Sequence, residues 1–306
     1  MTKEIKNIEA SVKNKLINIS KQEKKAFSVI LMLYIQERLL YRLSISEYSE
    51  SFILKGGLLL FGINEFKGRP TRDIDFLAKQ IKNDANTIKS IFNKVCGIQC
   101  NDGIFFDRES IKAEKTGEDR DYNGIEIKLN AFLGKAKEII KLDIGFGDVV
   151  VPKALDMAYP TLLNTERPII KVYSIESVIA EKFEAMIKLA ELNSRMKDFY
   201  DIYDLMQKRK LESGKLREAV FQTFERRHTY LNKDHIIFNQ KFFLDLDRSK
   251  RWKDFLKKTG RENTEFSEIM ILLKKFLNPI YESIVYEKEF FAYWDNELLE
   301  WNYTLE

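Results

Sequence analysis

The stretch Phe52-Ile53-Leu54-Lys55-Gly56-Gly57-Leu58-Leu59-Leu60-Phe61, followed after the loop Lys67 to Arg72 by Asp73-Ile74-Asp75-Phe76-Leu77, decides the fold. Three apolar residues, a lysine and two glycines, then four more apolar residues predict a short strand, a glycine turn and a buried helix. From Asp73 to Leu77 polar and apolar residues alternate with the period of a half-buried strand, so both aspartates share one face. A glycine turn at a helix start frees backbone N–H groups and presents the positive end of a helix dipole to an anion. Gly56 and Gly57 are therefore candidates for holding phosphate, with Lys55 adding a full charge. Two carboxylates spaced two apart on a strand suit a hard cation such as Mg²⁺, which makes Asp73 and Asp75 candidate metal ligands.

Before this stretch, the apolar positions Phe27, Ile30, Leu31, Tyr34, Leu39 and Leu40 recur at roughly helical spacing, predicting one long amphipathic helix from Lys21 to Leu43. After it, a helix from about Asp84 to Val95 leads into three alternating, β-branched segments, Ile104 to Lys112, Gly124 to Leu133 and Glu138 to Phe146, which predict an antiparallel meander. The last of these carries Lys141-Leu142-Asp143-Ile144. If Asp143 lies beside Asp73 and Asp75, the three carboxylates repel one another unless a cation sits among them; paired with Lys141, Asp143 is simply half of a salt bridge. A looser stretch, Val151 to Arg167, precedes Ser174-Ile175-Glu176-Ser177, a capped helix start. The remainder is strongly helical. The first half is α/β, and the only boundary the sequence marks falls between residues 150 and 172.

With 306 residues, 44% hydrophobic and 32% charged, the chain has ample material for a core. Its longest apolar run, Phe27 to Ile35 interrupted by Ser28, is far short of the ~20 residues that span a bilayer. The segment Met1 to Lys15 is rich in Lys and Glu and lacks the pattern of a secretory leader, so a cytoplasmic location and no membrane partner are expected. The two cysteines, Cys96 and Cys100, are expected to be reduced thiols, and His228 and His235 lack the spacing of a zinc site. A net charge of +4, from 51 basic and 47 acidic residues, is too small to name a nucleic-acid partner by itself.

Taken together, these motifs are familiar. Leu39-Leu40-Tyr41-Arg42-Leu43, Phe52 to Gly57 and Arg72-Asp73-Ile74-Asp75-Phe76 resemble the opening motif of the AbiEii/AbiGii toxin family, a branch of the polymerase-beta-like nucleotidyltransferases. Ala180-Glu181-Lys182-Phe183-Glu184-Ala185 resembles the family's lysine motif. Asn193-Ser194-Arg195-Met196-Lys197-Asp198-Phe199-Tyr200-Asp201 resembles its Arg-x-Lys-Asp-x-x-Asp motif. The resemblance covers about residues 20 to 210.

It implies an α/β (α+β) fold with a nucleotidyltransferase-type mixed sheet and flanking helices over 1–160, and a mostly helical domain over 161–306. It further implies metal binding by Asp73 and Asp75, with Mg²⁺ or Mn²⁺ as the ion; Asp143 completes the set if it lies beside them. Lys182 would contact the triphosphate, Arg195 would neutralise phosphate or pair with a neighbouring acid, and Asp198 would be essential. Many superfamily members carry Gly-Ser where this chain has Gly56-Gly57, so backbone N–H groups alone must serve the phosphate there.

The function so implied is a toxin, held in check by a cognate antitoxin, that moves a nucleoside monophosphate from a nucleoside triphosphate to RNA. The 3′ end of transfer RNA is the expected acceptor. Basic clusters at Lys208-Arg209-Lys210, Arg226-Arg227, Arg248 to Arg251 and Lys257-Lys258, with Tyr230 and Trp252 among them, offer an RNA surface or merely a solvated lysine-rich face. A protein or small-molecule acceptor, or a nucleotide-binding sensor without catalysis, are the alternatives.

Overall fold

The computed structural model describes residues 7–116, 124–261 and 264–303; residues 1–6, part of the segment read for a leader, lie outside these. Two compact units result. The first comprises residues 1–147 and 154–173, the second 148–153 and 174–306.

The first unit opens with α1 (Ile8–Gln22), capped by the Asn7 side chain, which accepts from the Ala10 N–H at 2.9 Å. A separate helix, α2 (Phe27–Ser44), follows. The helix that the sequence predicts from Lys21 to Leu43 forms as α2 but starts at Phe27, because Lys24 at φ +53° interrupts the chain after α1. Then come β1 (Phe52–Lys55), α3 (Gly56–Ile63), β2 (Asp73–Ala78), α4 (Ala85–Cys96), β3 (Ile104–Thr116), β4 (Gly124–Leu133), β5 (Ala136–Phe146), β6 (Leu155–Ala158) and β7 (Ile169–Val172). The seven strands form one sheet in the order β3-β4-β5-β2-β1-β7-β6. The pairs β2–β5 and β1–β7 are parallel and the rest antiparallel, so the sheet is mixed and β3 to β5 form the expected meander.

Helix α2 is buried along most of its length, including polar Gln36, Glu37, Arg38 and Arg42. Buried polar groups need partners, and here the partners are loops. Gln36 donates to the carbonyls of Thr71 and Arg72 at 3.1 and 2.9 Å, fixing the segment that enters β2. Glu37 accepts from the Leu162 N–H at 2.6 Å and pairs with Arg38 at 2.7 Å. Arg42 grips Asp102 at 2.6 Å.

The second unit holds α5 (Ile175–Leu189), whose N-cap Ser174 accepts from the Ser177 N–H at 3.1 Å, and α6 (Met196–Lys208). After them come β8 (Leu211–Glu212), α7 (Ser213–Arg226), α8 (Gln240–Phe243), α9 (Leu246–Thr259), α10 (Phe266–Val285), β9 (Ala292–Asp295) and β10 (Glu300–Tyr303). This unit is mostly helical, with one small three-stranded sheet ordered β10-β9-β8. Cys96 and Cys100 are free thiols, and burial pushes Cys96 up to about 12. Among the described residues no helix is long and apolar enough to cross a membrane.

Candidate active site

Strand β2 carries Asp73 and Asp75 half-buried, alternating with buried Ile74 and Phe76. Parallel pairing with β5 sets Asp75 opposite Asp143 and Asp73 opposite Lys141. On the other side β1 sets Lys55 opposite Asp75. Paired residues on neighbouring strands share a face, so the three aspartates predicted from sequence meet on one side of the sheet.

The glycine turn adjoins them directly. Gly56, the first residue of α3, has φ +66°, in the left-handed region that favours glycine. A Cβ there would lie 2.6 Å from Asp75 Cγ and 2.8 Å from Asp75 Cβ, with Oδ2 nearer still. The bare Cα of Gly56 is what lets the Asp75 carboxylate lie against the helix start. At Gly57 a Cβ would meet the Thr71 side chain at 3.1 Å. The Lys55 ammonium lies 5.4 Å from the centre of the Tyr173 ring.

Strand pairing adds Glu126, which sequence reading did not assign to the site, and gives Lys141, read from sequence as a partner for Asp143, further acids to pair with. Glu126 on β4 lies opposite Asp143 and contributes a fourth carboxylate. Lys141 places its ammonium among these acids, 2.9 Å from Glu126 Oε2, 3.4 Å from Asp143 Oδ2 and 3.8 Å from Asp73 Oδ1. Its hydrogen bond to Glu126, with the charges of Asp143 and Asp73, holds the lysine well above its usual pKa against the pull of burial. Burial raises the Asp143 carboxyl, and the neighbouring charges of Asp73 and Glu126 push the same way while Lys141 opposes them. Only the β4–β5 register reveals Glu126; in sequence it is one more alternating residue of a strand.

Among the described residues no group of three or more His, Cys, Asp or Glu side chains converges to hold a metal ion. Mg²⁺ does not need one, because it is commonly held by one or two carboxylates and completed by substrate phosphate and water. Asp73 and Asp75 supply such a pair of hard oxygen donors. A cation, the Lys141 ammonium, already lies within ion-pair range of Asp73 and Asp143, so the charge of this cluster suits a positive partner. The donor set fits Mg²⁺ or Mn²⁺.

In the second unit, α5 presents Lys182 to two acids of α6, Asp198 at 3.1 Å and Asp201 at 2.7 Å, both buried. Residues three apart on a helix share a face, which is how one lysine meets both. Burial pulls the Lys182 pKa down, but Asp201 and Asp198 outweigh it and the net shift is upward. Arg195, half-exposed, reaches the other oxygen of Asp198 at 2.7 Å. The lysine and Arg-x-Lys-Asp motifs thus build one ion network.

The expected basic surface of this unit is thinner than its sequence. Trp252 is fully buried and donates to the Thr264 carbonyl at 2.9 Å, so it is core and not a stacking platform. Arg248 lies 4.0 Å above the Phe242 ring centre and donates to the Glu191 carbonyl at 2.7 Å. Arg227 is gripped by Asp148, Glu181 and Glu184. Tyr230 is exposed as expected.

A two-carboxylate strand beside a glycine-led helix on a mixed sheet is the frame of a nucleotidyltransferase. Residues 38–274 match the family described as nucleotidyl transferase AbiEii toxin, Type IV TA system, and the chain belongs to that family. The match runs past Met206, beyond the stretch whose resemblance the sequence motifs carry. The fold is similar to that of MenT4, a nucleotidyltransferase toxin from Mycobacterium tuberculosis, at 15% identity and a TM-score of 0.50, over 92% of this chain and 99% of that one. Two Helicobacter pylori proteins align more loosely. One, at 13% identity, covers 87% of this chain and 100% of its own with a TM-score of 0.45. The other, at 15%, covers 86% and 95% with a TM-score of 0.41. No curated protein matches the sequence. Family membership makes the chain a nucleotidyltransferase toxin of a toxin–antitoxin system, with a nucleoside triphosphate as substrate and an antitoxin as partner.

Proposed function

We propose that the protein is a metal-dependent enzyme that transfers a nucleoside monophosphate from a nucleoside triphosphate to the 3′ end of an RNA, with transfer RNA as the acceptor. The observation that carries this reading is the meeting of Asp73, Asp75 and Asp143 on one sheet face beside the Gly56 helix start. Asp73 and Asp75 would hold the ion, with Asp143 alongside; Gly56 and Gly57 turn backbone N–H groups toward the triphosphate. Mg²⁺ held there would offset triphosphate charge and make the attacking hydroxyl more acidic. In the reaction the 3′ hydroxyl releases its proton to water as its oxygen bonds to the α-phosphorus, the bond from that phosphorus to the bridging oxygen of the β-phosphate breaks, and pyrophosphate leaves. Lys55 adds positive charge at the end of β1. The family resemblance gives Lys182 to the triphosphate and Asp198 an essential part; Arg195, paired with Asp198, neutralises phosphate or serves that pair alone, and the ion network of α5 and α6 would fix the position of Lys182. A role in defence against phage is consistent with a toxin of this family in the cytoplasm.

The test is incubation of purified protein with transfer RNA, Mg²⁺ and each nucleoside triphosphate in turn, followed by 3′-end sequencing. Added nucleotides at the 3′ end support the reading. Labelling of a protein or a metabolite, with none on RNA, replaces the acceptor and leaves the fold standing.

A further inference from the structure

The outward face of the meander is organised in rows that run across the strands. Register places Glu114 of β3, Glu126 of β4, Asp143 of β5 and Asp75 of β2 side by side, an acidic row. The next row is Lys112, Lys128, Lys141 and Asp73. The third row is Asp107, Asn130 and Ile139, and the fourth is Phe105, Phe132 and Lys137. Successive rows stand about 6.7 Å apart, two residues of strand rise, so the aromatic row is about 13 Å from the lysine row.

The acidic row balances much of the lysine row, since Glu126 pairs with Lys128 and, at 2.9 Å, with Lys141, but folding gives no reason for the exposed rings of the fourth row. Phe105 and Ile139 are each 63% exposed, and the Phe105 and Phe132 rings lie 6.1 Å apart with the Lys137 ammonium 5.9 Å from the Phe132 ring. Exposed rings beside cations on a sheet are what single-stranded nucleic acid uses, its bases stacking and its phosphates pairing. The grading also has a direction. Carboxylates occupy the end where a terminal hydroxyl must react, and cations and rings follow where an anionic chain with flat bases would continue. The far end opens on a cavity of about 570 Å³ whose walls include Met32, Pro70, Arg72, Lys137 and Ile139.

We infer that this face is the track of the acceptor strand, a single-stranded RNA end whose phosphates lie along Lys112 and Lys137 and whose bases stack on Phe132 and Phe105. The inference rests on the reading of RNA as acceptor. It places acceptor specificity on the meander of the first unit, where the sequence pointed to the basic clusters of the second.

The experiment measures binding of a short, labelled single-stranded RNA with a free 3′ hydroxyl to the full chain carrying Phe105→Ala with Phe132→Ala, and separately Lys112→Gln, alongside nucleoside triphosphate binding and melting temperature. Stacking losses predict about tenfold weaker RNA binding per ring, so about a hundredfold for the pair, with triphosphate binding unchanged. Lys112→Gln should flatten the slope of log affinity against log salt by about 0.7, one single-strand phosphate contact. If the double variant loses its fold, Phe105→Ala alone, at an exposed position, must still show the tenfold loss. RNA carrying 4-thiouridine next to its 3′ end should crosslink to the peptide containing Phe105 or Phe132. Wild-type protein that labels RNA while the ring variants bind and label it equally well overturns the inference and leaves the activity standing. Ring variants that escape their antitoxin but label RNA normally also overturn it, making the face a protein interface. Wild-type protein that neither binds nor labels RNA removes the acceptor reading itself, and the inference with it.

Discussion

Replacing Gly56 by alanine tests how the glycine turn and the carboxylates depend on each other. Alanine at φ +66° costs roughly 1–2 kcal/mol in backbone strain. The new Cβ would also sit 2.6 Å from Asp75 Cγ, so that atom must retreat by about 0.8 Å to reach the 3.4 Å of ordinary contact. Because Asp75 Cβ is itself only 2.8 Å away, turning the carboxylate cannot relieve the whole overlap, and β2 or the start of α3 must shift. A displacement near 1 Å at a reacting centre costs on the order of a hundredfold in rate. Gly260 provides the control, since it has φ +65° with nothing within 4 Å of a built Cβ. Gly260→Ala should lower the melting temperature by a few degrees with turnover intact, whereas Gly56→Ala should lose at least about a hundredfold in nucleotide transfer. Assaying transfer and thermal unfolding on both variants separates strain from displacement. Equal turnover in the two would refute the proposed contact between glycine turn and carboxylate.

Burial pushes Glu37 up to about 7. A carboxyl that binds its proton more tightly when folded stabilises the fold below its unfolded value and loses that contribution as pH rises through about 7, so melting temperature should fall from about pH 4.5 to 7 and Glu37→Gln should flatten that slope; parallel profiles contradict it. Lys182→Ala removes the cation shared by two buried carboxylates, of which Asp198 keeps Arg195, and should cost about 3–5 kcal/mol, whereas Lys182→Arg keeps a cation beside Asp198 and Asp201. An arginine variant that melts like wild type yet binds nucleoside triphosphate more weakly supports direct contact with phosphate, and unchanged binding and turnover remove that role. Trp252→Ala should destabilise by about 3–5 kcal/mol, with RNA affinity per folded molecule unchanged; a stable variant with weakened RNA binding would restore Trp252 to the surface.

The local signals in the sequence carried far. The strand, glycine turn and helix around Gly56, the alternation at Asp73 to Leu77 and the Ser174 cap are each written in a few adjacent residues, and they fold as the residues direct. What depends on pairing between distant strands was not legible. Glu126 joins the carboxylates only because β4 and β5 pair in one register, and a shift of one residue would turn it away; Lys141 reaches Asp73 only through the β2–β5 register. The start of α2 was read too early because nothing at Lys24 marks its left-handed φ, and α1 gave little periodic signal because it buries only Val12 and Leu16. Trp252, Arg227 and Arg248 looked like surface residues by type; tertiary packing supplied the rings, carbonyls and carboxylates that bury or hold them.

The central claim is that the Asp73 and Asp75 carboxylates serve nucleotide transfer through a bound divalent cation. Its most direct test is the rate of nucleotide transfer to RNA as Mg²⁺ is titrated, for wild type, Asp73→Asn and Asp75→Asn, with each protein's melting curve recorded alongside. Asparagine keeps the shape of aspartate and removes the charge. The account predicts a wild-type rate that rises with Mg²⁺ and saturates, and no transfer by either variant at any Mg²⁺ concentration while both melt close to wild type. A folded Asp73→Asn protein that transfers nucleotide at a near-normal rate, or a wild-type rate indifferent to Mg²⁺ after chelation, would contradict it.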